Sequence, residues 1–76
     1  MEPLFKRVIL KQDKPVEDVF SEAKPKAYLY QVAIDCDERI KNNINREVKY
    51  TSGDIIDEDQ DFDYILLHET SLLYFV

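Results

Sequence analysis

The first part of the chain contains two short apolar segments separated by turn residues. Residues Leu4–Leu10 (LFKRVIL) are rich in β-branched and aromatic side chains, a composition typical of a β-strand. Turn residues follow up to Pro15, and Val16–Ala23 then carries apolar side chains at i, i+3, i+4 and i+7. This spacing gives a helix one apolar face, so we predict a strand followed by a short helix.

The middle of the chain supports two interpretations. Aromatic and β-branched residues alternate with other residues over Ala27–Asp35, which favours a strand there, followed by a helix over Cys36–Arg46. The same stretch also fits one long helix, because apolar residues recur at helical spacing at Leu29, Val32, Cys36, Ile40, Ile44 and Val48. We prefer the strand followed by the helix, because aromatic and β-branched residues are enriched in strands.

Two further apolar segments dominate the last third of the chain. We predict a short strand over Val48–Thr51 and a turn at residues 52–54, around the single glycine, Gly53. Tyr64–His68 (YILLH) and Leu72–Val76 (LLYFV) are separated by three residues, a pattern that predicts a β-hairpin between these two segments.

Composition sets the size and class of the fold. The chain has 76 residues, of which 45% are hydrophobic and 34% charged, as expected for one small domain spanning residues 1–76. The predicted elements form an α+β fold with a mostly antiparallel sheet of three to five short strands and two helices. A single cysteine, Cys36, and the lack of a long apolar segment or signal-peptide pattern predict a soluble, cytoplasmic protein.

The distribution of charge is the most informative feature of the sequence. The formal net charge is −6, but residues 51–76 contain seven acidic residues and no lysine or arginine, whereas the rest of the chain is nearly neutral. Six of these acids lie within ten residues, at Asp54, Asp57, Glu58, Asp59, Asp61 and Asp63. The electrostatic field of the protein therefore comes mainly from one short segment.

The spacing of the aspartates suggests calcium binding as one alternative. Asp57, Asp59 and Asp61 have the spacing of the first three ligands of an EF-hand loop. Phe62 and His68, however, stand where that loop requires glycine and glutamate. We therefore expect at most weak cation binding and predict no metal site and no cofactor.

A second interpretation treats the acidic segment as a protein-binding surface. In an extended chain, alternate residues share a face, so the aspartates would form a row of fixed negative charges resembling nucleic-acid phosphates. Aromatic rings beside carboxylates are common at interfaces with arginine-rich partners. The predicted partner-binding residues are Asp54, Asp57, Glu58, Asp59, Asp61, Phe62, Asp63 and Tyr64. A solvated acidic loop that only aids solubility is the alternative.

The sequence gives little support for catalysis or for direct nucleic-acid binding. His68 and Cys36 are the only residues of their types, too few for a zinc site, and each is more simply read as a structural residue. The basic residues are dispersed among acids rather than clustered as in a nucleic-acid-binding protein. We therefore predict a protein that is not an enzyme and does not contact nucleic acid or membrane directly.

These observations favour a non-enzymatic module that binds a basic surface of a protein partner, such as a nucleic-acid-binding protein, and inhibits it by imitating nucleic acid. The alternative is a structural or regulatory subunit, or a homodimer, that associates through the apolar segment 72–76 together with Tyr28 and Tyr30. Under this alternative, the acidic residues serve solubility only.

Overall fold

The fold consists of two antiparallel sheets, seen in a computed structural model that describes residue 3 and residues 5–14 and 25–76. The larger sheet has the strand order β2-β1-β5-β4, and the smaller sheet pairs β3 with β6. The described strands are β1 (Arg7–Asp13), β2 (Ala27–Val32), β3 (Val48–Tyr50), β4 (Asp54–Glu58), β5 (Phe62–His68) and β6 (Leu72–Phe75). One helical turn, α1 (Glu38–Lys41), and one 3-10 turn (Glu69–Ser71) complete the described elements.

The hydrophobic core lies between the two sheets. Leu10 of β1 lies opposite Leu29 of β2 on one side and Ile65 of β5 on the other. Partners across an antiparallel pair share a face, so these side chains form one apolar layer, and all three are buried. The smaller sheet covers this layer with Val48, Leu72 and Phe75. Burial of this layer is the main source of stability.

The larger sheet also buries a residue on its other face. Ile9 points away from the core because its neighbours Val8 and Leu10 point towards it, yet Ile9 is as well buried as they are. It lies opposite Leu66 of β5 and Gln31 of β2. Strand β1 therefore buries apolar side chains on both faces over Val8–Leu10.

The smaller sheet is attached to the edge of the larger one through the segment before β3. The backbone N–H of Leu29 donates to the carbonyl of Arg46 at 3.0 Å, and the N–H of Val76 donates to the carbonyl of Glu47 at 2.9 Å. Residues 46 and 47 therefore link β2 to β6, so the two sheets enclose one core.

The predicted helices are the main error of the sequence analysis. Cys36–Arg46 was expected to be helical, but only Glu38–Lys41 is, because Asn42 caps the turn and Asn45 adopts a left-handed conformation (φ 72°). The helix predicted over Val16–Ala23 lies outside the described residues. The alternative of one long helix across residues 27–48 is wrong, since β2 occupies its first part.

The strands are predicted better than their pairing. The strand predicted over Ala27–Asp35 does begin at Ala27, but it ends at Val32. The strand predicted over Leu4–Leu10 begins later, at Arg7, after two residues with positive φ, and it continues to Asp13. The mostly antiparallel architecture is confirmed for the described residues, which form six strands rather than three to five.

The predicted hairpin between Tyr64–His68 and Leu72–Val76 is wrong. Strand β5 pairs with β1 and β4, whereas β6 pairs with β3. The 3-10 turn at Glu69–Ser71 redirects the chain from one sheet to the other, and the His68 side chain caps this turn by accepting from the Thr70 N–H.

Gly53 is required by close packing and not by turn conformation. Its φ is not positive, so its backbone is accessible to any residue. A Cβ at this position would lie 2.5 Å from Cγ2 of Ile65 and 3.1 Å from the carbonyl oxygen of Leu66. The glycine lets the start of β4 approach β5.

Within the part of the chain that the structure describes, no helix is long and apolar enough to cross a membrane.

Candidate protein-binding surface

The acidic segment folds into a β-hairpin, which we call the acidic hairpin and define as residues 54–64. Its arms are β4 and the start of β5, with Asp57 opposite Tyr64 and Glu58 opposite Asp63. All eight predicted partner-binding residues lie on it. Because successive strand residues point to opposite faces, the acids are divided between both faces and the turn. The interpretation of the aspartates as a single extended row is therefore wrong.

One aspartate of the segment holds the turn together. Oδ1 of Asp59 accepts hydrogen bonds from the backbone N–H groups of Asp61 and Phe62, both at 2.8 Å, and Oδ2 accepts from the Tyr64 hydroxyl at 2.8 Å. The backbone hydrogen bond from Asp61, followed by those from Tyr64 and Phe62, lowers the pKa of Asp59. Both of its oxygens already accept hydrogen bonds, which disfavours the use of Asp59 as a calcium ligand.

The protein's own lysine partly neutralises two of the acids. Nζ of Lys14 lies 3.4 Å from Oε2 of Glu58 and 3.9 Å from Oδ1 of Asp63. The backbone N–H of Lys14 also donates to the carbonyl of Asp61 at 3.3 Å. Exposed ion pairs contribute little to stability, but this one shows that an ammonium group fits between the two arms of the hairpin.

The two predicted aromatic residues of the surface pack against the sheet. Nζ of Lys11 lies 4.0 Å from the centroid of the Phe62 ring, a cation–π contact, and the ring of Tyr64 lies 5.4 Å from that of Tyr30. Both aromatic side chains are half-buried and connect the hairpin to the neighbouring strands.

The remaining acids are the exposed part of the surface. Among residues 5–14 and 25–76, Asp54, Asp57 and Asp61 form no ion pair, and all three are exposed. Ile55 and Ile56 lie between Asp54 and Asp57 on β4, and their side chains are 64% and 42% exposed. The hairpin therefore combines three exposed carboxylates with two accessible apolar side chains.

Lys11 and Lys14 contact the acidic hairpin although they are not among its predicted partner-binding residues. They meet the hairpin because β1 pairs with β5 over seven residues, bringing Lys11 opposite Tyr64 and Asp13 opposite Phe62. Lys11 and Lys14 flank Asp13 in a stretch of mixed charge, and this local pattern does not show which acids they contact.

The cysteine and the histidine have structural environments. Cys36 is buried, burial raises the pKa of its thiol, and its Sγ donates to the carbonyl of Arg7 at 3.6 Å. Nδ1 of His68 lies 2.9 Å from the Thr70 hydroxyl. In the described ranges, no three His, Cys, Asp or Glu side chains are grouped so that they could hold a metal ion.

Comparison of the chain with protein-family models, with curated protein sequences and with solved structures finds no match.

Proposed function

We propose that this protein is a non-enzymatic binding module whose acidic hairpin binds a basic surface of another protein. The observation that carries the proposal is the exposure of Asp54, Asp57 and Asp61 on a folded hairpin, with no lysine or arginine anywhere in residues 51–76. Such a surface attracts a cationic partner and repels nucleic acid and other acidic molecules.

The hairpin supports this function because its acids are held on paired strands. Its second arm, β5, pairs with β1 along its whole length, and Asp59 closes the turn. A surface fixed before binding loses less conformational entropy on association than a flexible acidic loop does. Acids held in this way suit a binding role better than the alternative in which they only aid solubility.

We further propose that the partner is a nucleic-acid-binding protein and that the hairpin occupies its phosphate-binding surface. The support is chemical, since clustered carboxylates present to a basic groove the same sign of charge as a phosphate backbone. The acids form a cluster around the hairpin and not a row, so the imitation is of charge rather than of phosphate spacing.

The test is affinity capture followed by a binding measurement. The tagged protein is exposed to a native lysate at about 50 and about 500 mM salt, retained proteins are identified, and the affinity of the purified partner is measured. We expect the partner to carry a basic surface, its affinity to fall by about tenfold or more across this salt range, and duplex DNA to compete. Binding that is insensitive to salt contradicts the proposal.

A matched pair of variants separates the hairpin from net charge. The double substitution Asp54→Asn with Asp61→Asn should weaken binding, whereas Glu38→Gln with Glu47→Gln removes the same charge from outside the hairpin and should not. Equal losses in both variants would show that only the overall charge of the protein matters.

A second candidate function rests on β6. Leu73 is 58% exposed and Tyr74 is similarly exposed, so this strand presents an apolar surface suited to a subunit interface or a homodimer. Tyr28 and Tyr30 belong to the other sheet, and Tyr30 packs on Tyr64. Leu73→Asp should abolish association under this candidate and leave binding through the hairpin unchanged.

A further inference from the structure

The outer edge of β4 has no partner strand in the described part of the chain. β4 is the last strand in the order β2-β1-β5-β4, and among residues 5–14 and 25–76 only β5 pairs with it. All five residues of β4 are exposed. An edge strand presents unpaired N–H and C=O groups that can pair with a further strand.

The hydrogen bonds at the turn show which backbone groups face this edge. Asp59 N–H donates to the carbonyl of Phe62 at 2.9 Å, so residues 59 and 62 occupy a hydrogen-bonded position of the ladder, with the Phe62 N–H donating to Oδ1 of Asp59. The next pair, Glu58 and Asp63, is then a non-hydrogen-bonded pair. The backbone N–H and C=O of Glu58 therefore point away from β5, towards the outer edge of β4. Consistent with this, the Glu58 N–H donates to Oδ1 of Asp57 at 2.8 Å. This amide would be available to an added strand once the Asp57 side chain turns aside.

The side chains of β4 determine which strand would fit. Pairing with the β4 of a second copy would bring together three carboxylates from each chain with no lysine or arginine between them, and like charges opposite one another are destabilising. Asp54 and Asp57 lie opposite Leu66 and Tyr64 and so share one face, whereas Ile55 lies opposite Ile65 on the other face. A strand that alternates lysine or arginine with apolar residues would place cations beside Asp54 and Asp57 and apolar side chains beside Ile55. Lys14 already pairs with Glu58, so Asp54 and Asp57 are the exposed carboxylates of β4 that a cationic strand would meet.

We propose that the β4 edge takes up an extended, basic segment of the partner protein as an additional β-strand. This inference rests on the proposed function and adds the mode of binding to it: main-chain hydrogen bonds provide the attachment, and the carboxylates select a basic sequence over an acidic one.

The first experiment compares three peptides as probes. An alternating lysine–valine hexapeptide is titrated into the ¹⁵N-labelled protein at low salt, beside a glutamate–valine hexapeptide and a lysine–valine hexapeptide methylated at alternate backbone nitrogens. We expect the first peptide to shift the amide signals of β4 and slow their hydrogen exchange. We expect the methylated peptide, which has the same charge, to bind about tenfold more weakly, because it cannot complete the ladder.

The second experiment alters the edge of the protein itself. Glu58→Pro removes an N–H that faces away from β5, so the existing ladder keeps its bonds, whereas Glu58→Gln makes the same change of charge and keeps the N–H. We expect the proline variant to bind the lysine–valine peptide about tenfold more weakly than the glutamine variant. If the proline variant does not fold, the peptide comparison on the unmodified protein still decides the question.

The outcomes separate the inference from the function on which it rests. Equal binding of the methylated and unmethylated basic peptides overturns strand addition and leaves the acidic surface as a purely electrostatic site. Binding of the glutamate–valine peptide as tight as that of the basic peptide, no binding of either, or a concentration-dependent dimer with protected β4 amides also overturns the inference. The salt-dependent capture of a partner tests the proposed function independently of these results.

Discussion

The hydroxyl of Tyr64 donates a hydrogen bond to Oδ2 of Asp59 at 2.8 Å, across the end of the acidic hairpin. The other oxygen of the same carboxylate accepts from the backbone of the turn. Asp59 therefore has a structural role, whereas Asp54, Asp57 and Asp61 of the same segment are exposed and form no ion pair among the described residues. The acidic segment thus contains two kinds of aspartate, one that shapes the hairpin and several that give its surface negative charge.

The Tyr64–Asp59 hydrogen bond should make stability depend on pH in the alkaline range. The hydrogen bond to Asp59 raises the pKa of Tyr64 from 10.0 to about 12, because only the neutral phenol can donate. Its contribution to the free energy of unfolding is therefore fully present below pH 10 and is lost as the pH rises through about 12. The free energies of unfolding of the wild-type protein and of Tyr64→Phe, measured by urea denaturation, should therefore become equal as the pH rises from 10 to about 12. Absorbance titration of Asp59→Asn should show the Tyr64 pKa closer to 10.0.

Gly53→Ala should destabilise the protein by overpacking. The added methyl group would contact Ile65 and the backbone of β5, which cannot shift without disturbing the core, so we expect a loss of about 1–3 kcal/mol in unfolding free energy. Ser52→Ala, one residue earlier and exposed, is the control and should change stability by less than about 0.5 kcal/mol. Chemical denaturation measures both. Similar stabilities for the two variants would show that β4 can move away from β5.

Ile9→Ala should be severely destabilising although Ile9 points away from the main core. Ile9 is 1% exposed, so truncation leaves a cavity, and we expect a loss of about 2–5 kcal/mol. Ile34→Ala makes the same chemical change at a side chain that is 90% exposed and should cost less than about 0.5 kcal/mol. Denaturant unfolding provides the comparison. Equal effects would mean that the outer face of the larger sheet does not bury Ile9 in solution.

Lys14→Met should strengthen binding to a basic partner. Removal of the ammonium group frees Glu58 and Asp63 for the partner's own cations, and we expect an increase in affinity of about twofold to fivefold. Lys26→Met changes net charge equally at an exposed position outside the hairpin and serves as the control. Calorimetry with the captured partner at low salt measures both. Weaker binding of Lys14→Met would instead indicate that Lys14 contacts the partner.

Local patterns predicted the strands better than they predicted the helices. The aromatic and β-branched residues after Ala27 favoured a strand and β2 is present, because these side chains suit a pleated, partly buried surface. The helix predicted over Cys36–Arg46 is a single turn in the structure. Asn45 adopts a left-handed conformation, which a helix cannot continue through, and the chain then runs back beside β2. The hydrogen bond from the Asn45 N–H to the Leu29 carbonyl is a tertiary contact that no local pattern contains.

The order of residues along the chain by itself determined that the negative charge is concentrated after Gly53 and that several segments favour strands, because both depend only on residue type and local order. Tertiary structure alone decided that β5 pairs with β1 and β4 instead of β6, that Lys11 and Lys14 lie against the acidic hairpin, and that Gly53 permits close packing rather than a turn. The reason is physical: strand pairing depends on which arrangement buries the most apolar surface across the whole chain, and distant residues meet only as a result of that choice.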